Sequence, residues 1–112
     1  MRIVNGLEAA RAALRGGATQ LLSPPYAACH AGVGYYAALV EHLRAEFPEV
    51  DFTLTLCCGN DPAIAHDALR LGFTSIICEC SDGIFAQLQI TAAAIGATIL
   101  RSYPQLPKLD DK

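Results

Sequence analysis

Apolar residues along this chain fall into short runs that alternate between the periods of strands and helices. Residues 1–5 (MRIVN) form a brief apolar run that predicts a strand. Residues 7–15 place Leu7, Ala10 and Leu14 at i, i+3 and i+7, one face of a helix rich in Ala, Leu and Arg, all strong helix formers. Gly16 and Gly17 stop it as a C-terminal cap does. Residues 18–23 (ATQLLS) predict a second strand, ended by Pro24 and Pro25 because proline cannot extend a ladder. Residues 26–34 (YAACHAGVG) show no clear periodicity and predict a loop.

A helix follows over about 34–47, with Tyr36, Leu39, Val40 and Leu43 as its inner face and Pro48 closing it. The strongest strand pattern is 51–58 (DFTLTLCC), β-branched and aromatic, bounded by Pro48 and Gly59. Asp61 and Pro62 then suit an N-cap and a first helical position, and the helix runs to Leu71 before Gly72. Residues 73–80 (FTSIICEC) predict a fourth strand. Ser81, Asp82 and Gly83 form a turn and cap, with Asp82 as a capping side chain, before a helix to about Ile95. Gly96 ends that helix, and 98–102 (TILRS) predict a fifth strand. From Pro104 through Pro107 to the charged end, the chain reads as an extended tail.

Five strands separated by four helices predict one α/β domain over 1–103 with a tail over 104–112. We expect three layers: a mostly parallel sheet with helices on both faces, joined by right-handed crossovers, flavodoxin-like or half-barrel-like. There is no internal repeat and no low-complexity segment.

Composition adds an expectation about assembly. Apolar residues make up 53 % of the chain and charged residues 17 %, against roughly 45–50 % and 25 % in an average domain. So small a chain needs polar surface to cover its core, and the apolar excess predicts a homo-oligomer. The net charge is −3 and the 8 basic residues are scattered, which argues against nucleic-acid binding. No apolar run approaches the roughly 20 residues of a membrane span. The N-terminus lacks the pattern of a signal peptide, so the expected location is the cytoplasm. Cys29, Cys57, Cys58, Cys78 and Cys80 sit in apolar stretches and read as reduced thiols behaving as small hydrophobes.

Two segments resemble a known family. Residues 17–24 (GATQLLSP) are similar to a strand and turn of the keto-deoxy-phosphogluconate aldolase family of (β/α)8 barrels. Residues 47–59 (FPEVDFTLTLCCG), followed by 68–73 (ALRLGF), resemble the strand and helix that hold the phosphate in those barrels. The resemblance covers about a quarter of the chain and implies a barrel-related architecture with lyase-like ancestry. Where the family has a Gly-Gly pair at the phosphate, this chain has Cys58-Gly59. The family's Schiff-base lysine has no counterpart, since the lysines here are Lys108 and Lys112 in the tail.

Chemistry in an open parallel sheet lies beyond the carboxyl ends of the strands. That edge collects Asn5-Gly6, Ser23 to Pro25, Cys58 to Asp61, Glu79 to Asp82 and Ser102-Tyr103, with the 26–34 stretch leaving from the same side. Tyr26 and His30 are candidates to close over a ligand. Gly32 and Gly34 precede a helix whose free amides suit an anion, although Gly-x-Gly alone more often marks a flexible turn and helix start. Gly59, Asn60 and Asp61 open another helix, and Glu79 and Ser81 flank the next. Glu79 reads first as an exposed strand-end residue, and as an acid or base only if buried. Cys29 and His30 are neighbours, an arrangement in which the two side chains rarely meet as a nucleophile and its base. His42 and His66 fall on charged helix faces. Cys58, Cys78, Cys80 and His30 offer soft ligands but no C-x-x-C spacing, so we expect no metal, and no pattern requires a cofactor.

The rim is thus short of convergent ionisable groups. We expect a non-catalytic, self-associating module that takes a small anionic or polar ligand at this edge. A small enzyme of lyase- or aldolase-like ancestry using the same rim is the alternative.

Overall fold

The structure, a computed structural model, describes residues 1–105. Its elements run β1 (Arg2–Ile3), α1 (Leu7–Arg15), β2 (Gln20–Leu22), α2 (Ala27–Ala31), α3 (Val33–Glu46), β3 (Thr53–Cys57), α4 (Pro62–Arg70), β4 (Ser75–Ile77), α5 (Asp82–Ala94) and β5 (Thr98–Leu100). All four strand pairs are parallel, in one sheet of order β1-β2-β3-β4-β5. The α/β class, the single domain and the five parallel strands are as the sequence predicts. Tail residues 106–112 lie outside the described residues.

Helix placement differs from the expectation of three layers. A sheet carries helices on both faces only if its strand order reverses somewhere. Here the order never reverses, and right-handed crossovers stepping always to the same side put every connecting helix on one face. Burial follows that rule. Leu21, Leu54, Leu56, Ile76 and Ile99 share one core with Ala10 and Leu14 of α1, Leu39 and Leu43 of α3, Ala68 and Leu69 of α4, and Leu88 of α5. Residues of opposite parity, Leu22, Cys57 and Ile77, form a separate small cluster joined by Leu100 and Tyr103. The arrangement is two-layered, and of the two architectures expected it matches the half-barrel-like one.

Register explains the division. Leu21 stands beside Leu54, Leu56 beside Ile76, and Ile76 beside Ile99, so these rows all enter the helix layer. Leu22 stands beside Thr55, and Cys57 beside Ile77 and then Leu100, on the face without helices. On that face the Thr55 and Ser75 hydroxyls meet at 2.8 Å, which satisfies the buried Thr55. The periphery of this face stays open: Ile3 is exposed at the β1 edge, and Gln20 and Thr98 are exposed too.

The 26–34 stretch is not a loop. It holds the one-and-a-half-turn helix α2, broken from α3 by Gly32, whose φ of 95° no L side chain adopts readily. Its small residues Ala27 and Ala28 are buried against the sheet end. Docking of those methyl groups supplies what a helix this short lacks on its own.

Candidate functional site

The edge where the strands end is organised around Tyr26. It is the one non-glycine with positive φ (59°) among the described residues, a conformation that costs an L residue roughly 1–2 kcal/mol. Several contacts hold it there. Its N–H donates to Cys57 Sγ at 3.3 Å, and its carbonyl accepts the N–H groups of Cys29 and His30 at 3.0 and 3.1 Å. Its ring lies so close over Gly59 that a Cβ at Gly59 would come within 2.4 Å of Tyr26 Cδ1. Gly59 itself has φ 62°, and its carbonyl accepts the Glu79 N–H at 2.7 Å. Tyr26, Gly59 and Glu79 therefore link the ends of β2, β3 and β4.

Cys29 packs beside this contact and donates to the Cys58 carbonyl at 3.4 Å. Burial pushes its thiol up, and the charges of Asp61 and Cys57 push the same way. Cys57 and Cys58 point to opposite faces, Cys57 into the small cluster and Cys58 into the main core. Burial, then Cys78 beside it, pushes the Cys58 thiol up to about 12. It stays a neutral thiol across the physiological range. All five cysteines carry free thiols.

Asp61 caps α4. Its Oδ1 accepts from the N–H groups of Ala63 at 3.0 Å and Ile64 at 3.3 Å, with Pro62 at the first helical position, as the sequence predicts. The amides that an incoming anion would need are therefore already taken. Replacing Asp61 with alanine should cost about 1 kcal/mol of stability, the usual worth of an N-cap. Urea unfolding checks this, and an unchanged midpoint would show that the cap contributes nothing.

Other predicted residues take separate places. His30 is exposed on α2, its ring edge-on to Tyr26 at 6.5 Å between centroids. A Cβ at Gly32 or Gly34 would meet nothing within 4 Å, and Gly34 lies inside α3 rather than ahead of it. Asn60 is exposed in the turn before Asp61, and Glu79 is exposed at the strand end. Ser81 is the N-cap of α5, but its side chain makes no capping hydrogen bond. Asp82 is not the cap. It lies in the first turn of α5, where its carboxylate is drawn into a pair with Arg101.

Arg101 was outside the predicted site set, and Tyr103 was placed on the rim without a role in the site. The Arg101 guanidinium holds both Asp82 and the Cys80 carbonyl (3.1 Å) and stacks 5.2 Å from the Phe85 ring centroid. The Tyr103 hydroxyl reaches across the sheet to donate to the Ser23 carbonyl at 2.6 Å. Burial, and secondarily Cys57, raises its pKa above the ordinary tyrosine value. The signal for Arg101 was its standing as the one arginine at a strand end. The signal for Tyr103 was its place on the rim after the fifth strand, but nothing local marks its partner, 80 residues away.

Among the described residues, no three His, Cys, Asp or Glu side chains come together as metal ligands. A cleft of about 340 Å³ between α3 and the α4–β4 turn, lined by Ala37, Val40, Arg44, Leu71 and Phe73, opens at the opposite edge of the sheet from the rim. No helix among the described residues is long and apolar enough to cross a membrane. Comparison with family models, curated proteins and solved structures found no match to this chain.

Proposed function

We propose that this chain is a non-catalytic module that self-associates, a second copy docking on the α5–β5 end of the sheet. The observation that carries the reading is the distribution of charge. Residues 83–100 include no Asp, Glu, Lys or Arg. Along that uncharged stretch Ile84, Ile90 and Ile95 are 42, 72 and 52 % exposed. The other end of the domain is the reverse: Arg11 pairs with Glu8 and Glu46, and Arg15 with Glu46, across α1 and α3. Interface centres are depleted of charge in this way.

A second copy fits the uncharged surface of α5 better than an unlike partner does. Each chain carries a net charge of −3, and a two-fold axis through α5 brings two copies together without setting like charges against each other there. The 13 residues of α5 span about 20 Å at 1.5 Å per residue. Flanked by β5 on one side and by the groove against α4 on the other, that length is on the scale of an interface burying roughly 800 Å² per partner. The rim serves in this reading as framework, because its best anion position is closed by Asp61. The strand order is also that of consecutive units of a (β/α)8 barrel, which supports a shared architecture with the aldolase-type barrels and supplies no catalytic group.

Ile90→Glu tests the proposal, since the helix tolerates glutamate and Ile90 is the most exposed of the three isoleucines. The variant should weaken self-association about tenfold or more, as loss of an apolar interface anchor does. Light scattering across a concentration series reads the mass. A wild-type chain that stays monomeric at high concentration, or a variant with unchanged assembly, would overturn the reading.

A further inference from the structure

The two edges of the sheet differ in kind. β1 at one edge is two residues long and carries Arg2, and a short, charged strand keeps an edge from pairing. β5 at the other edge holds Thr98, Ile99 and Leu100 in regular register with β4, with no charge and no proline. Among the described residues no strand lies beyond it. The Thr98 N–H donates to the Thr74 carbonyl at 2.8 Å, and the Leu100 carbonyl accepts the Cys78 N–H at 3.0 Å, so both residues turn their backbone groups toward β4. Ile99 between them turns its N–H and C=O the other way, out of the sheet. These groups open onto a groove of about 340 Å³ lined by Gln89, Ala93, Ala97, Thr98 and Ile99. The Ile99 side chain is buried in the core, which holds its backbone in the extended form that a neighbouring strand needs.

We propose that β5 pairs antiparallel with β5 of a second copy, making one continuous sheet of five strands from each chain. The proposal rests on the self-association reading and specifies its main-chain contact, with the two-fold axis passing beside Ile99 and between the two α5 helices. Ile99 is self-complementary in this register, since each copy's N–H donates to the other's C=O. Thr98 then stands opposite Leu100 of the partner subunit, and Arg101 opposite the partner's Ala97, so no like charges meet. The helix layer fits the same register. A crossover helix packs over the two strands it joins, so α5 lies over β4 and β5. Strands about 4.8 Å apart then set the two α5 axes roughly 10 Å apart, within reach of the 8–10 Å of packed helices. Gln89 and Ala93 on that flank of α5 are exposed, and Ala93 is small enough for close approach. Ile90, three residues from Ala93, borders the same seam.

Amide hydrogen exchange of the full chain, read by NMR across a concentration series beside light scattering, tests the pairing. Where the dimer predominates, the Ile99 amide should exchange about tenfold or more slowly than in the dilute monomer, because it meets solvent only when the pairing opens. The Val4 N–H donates to Leu22, so the Ile3 amide faces out at the other edge and should exchange fast throughout. Thr98→Lys changes an exposed position and sets an ammonium opposite Leu100 of the partner subunit. It should weaken dimerisation about tenfold or more, as an edge lysine does. A dimer whose Ile99 amide exchanges at the monomer's rate, one that protects Ile3 instead, or one that Thr98→Lys leaves intact overturns the proposal while the self-association reading stands. A chain that is monomeric at every concentration overturns both.

Discussion

Replacing Gly59 with alanine should lower the unfolding free energy by about 3 kcal/mol, combining the αL penalty of an L residue with the overlap of an overpacked site. The backbone there has φ 62°, and the new methyl would lie 2.4 Å from Tyr26 Cδ1 and 3.1 Å from Cys29 Sγ. Both neighbours are exposed on their outer side, so their side chains can yield only by swinging outward. Tyr26 is itself in the left-handed region, tied by its N–H to Cys57 and by its carbonyl to α2. The methyl must therefore swing the Tyr26 ring outward and break its contact with Gly59, push α2 off the sheet end, or turn the β3–α4 connection. Gly34→Ala is the matched control, because it puts the same methyl into open space within α3. It should be neutral or stabilising by up to about 1 kcal/mol, the difference in helix propensity. Urea denaturation should show the Gly59→Ala midpoint falling with little change in slope. Equal effects of the two substitutions would mean that the Tyr26–Gly59 contact does not constrain the rim.

Ile76→Ala should cost about 4 kcal/mol and Ile77→Ala about 2 kcal/mol, the two ends of the usual range for truncating a large aliphatic side chain in a core. Both side chains are fully buried, and they are neighbours in β4. What separates them is the face of the sheet. Ile76 points into the layer shared with α4 and α5, between Leu56 and Ile99, where the surrounding elements cannot close a cavity. Ile77 points into the small cluster of Leu22, Cys57, Leu100 and Tyr103. Leu100 and Tyr103 are only half-buried there, so they can settle into the vacated space. The cost of a cavity depends on how far its walls relax, and these walls differ. Thermal or urea unfolding of the pair reads out the two-layer architecture directly. A cost for Ile77→Ala equal to that for Ile76→Ala would show the second face to be as firmly packed as the first.

Helices α1 and α4 were legible to within a residue of their ends, because their apolar spacing is flanked by chemistry that starts and stops a helix. Asp61 and Pro62 do this for α4, and Gly16 for α1. The five strands were legible as apolar runs between glycines and prolines, although each hydrogen-bonded segment is shorter than its run. β3 is Thr53–Cys57 within a run that begins at Asp51. The α2 turn was hidden, since Ala27, Ala28 and Cys29 become helical by docking and carry no periodic pattern of their own. Of the candidate site, the Tyr26–Gly59–Glu79 alignment followed from the rule that parallel strands end on one edge. Asp82, expected as the capping side chain, lies instead in the first turn of α5 and pairs with Arg101, 19 residues on, and Ser81 at the N-cap position makes no side-chain cap.

What the sequence determined by itself was therefore local: which segments are strands, which are helices, where most of them stop, and that one edge gathers their ends. The order of the strands was decided only in three dimensions. Alternating β and α segments are equally compatible with an order that reverses and with one that does not, because each crossover is local while the choice of side is made by the whole sheet. Once every step fell on the same side, handedness assigned all the connecting helices to one face. That one fact separated Ile76 from Ile77, left Tyr103 to lie across the face without helices, and put the uncharged surface of α5 at the open end of the sheet.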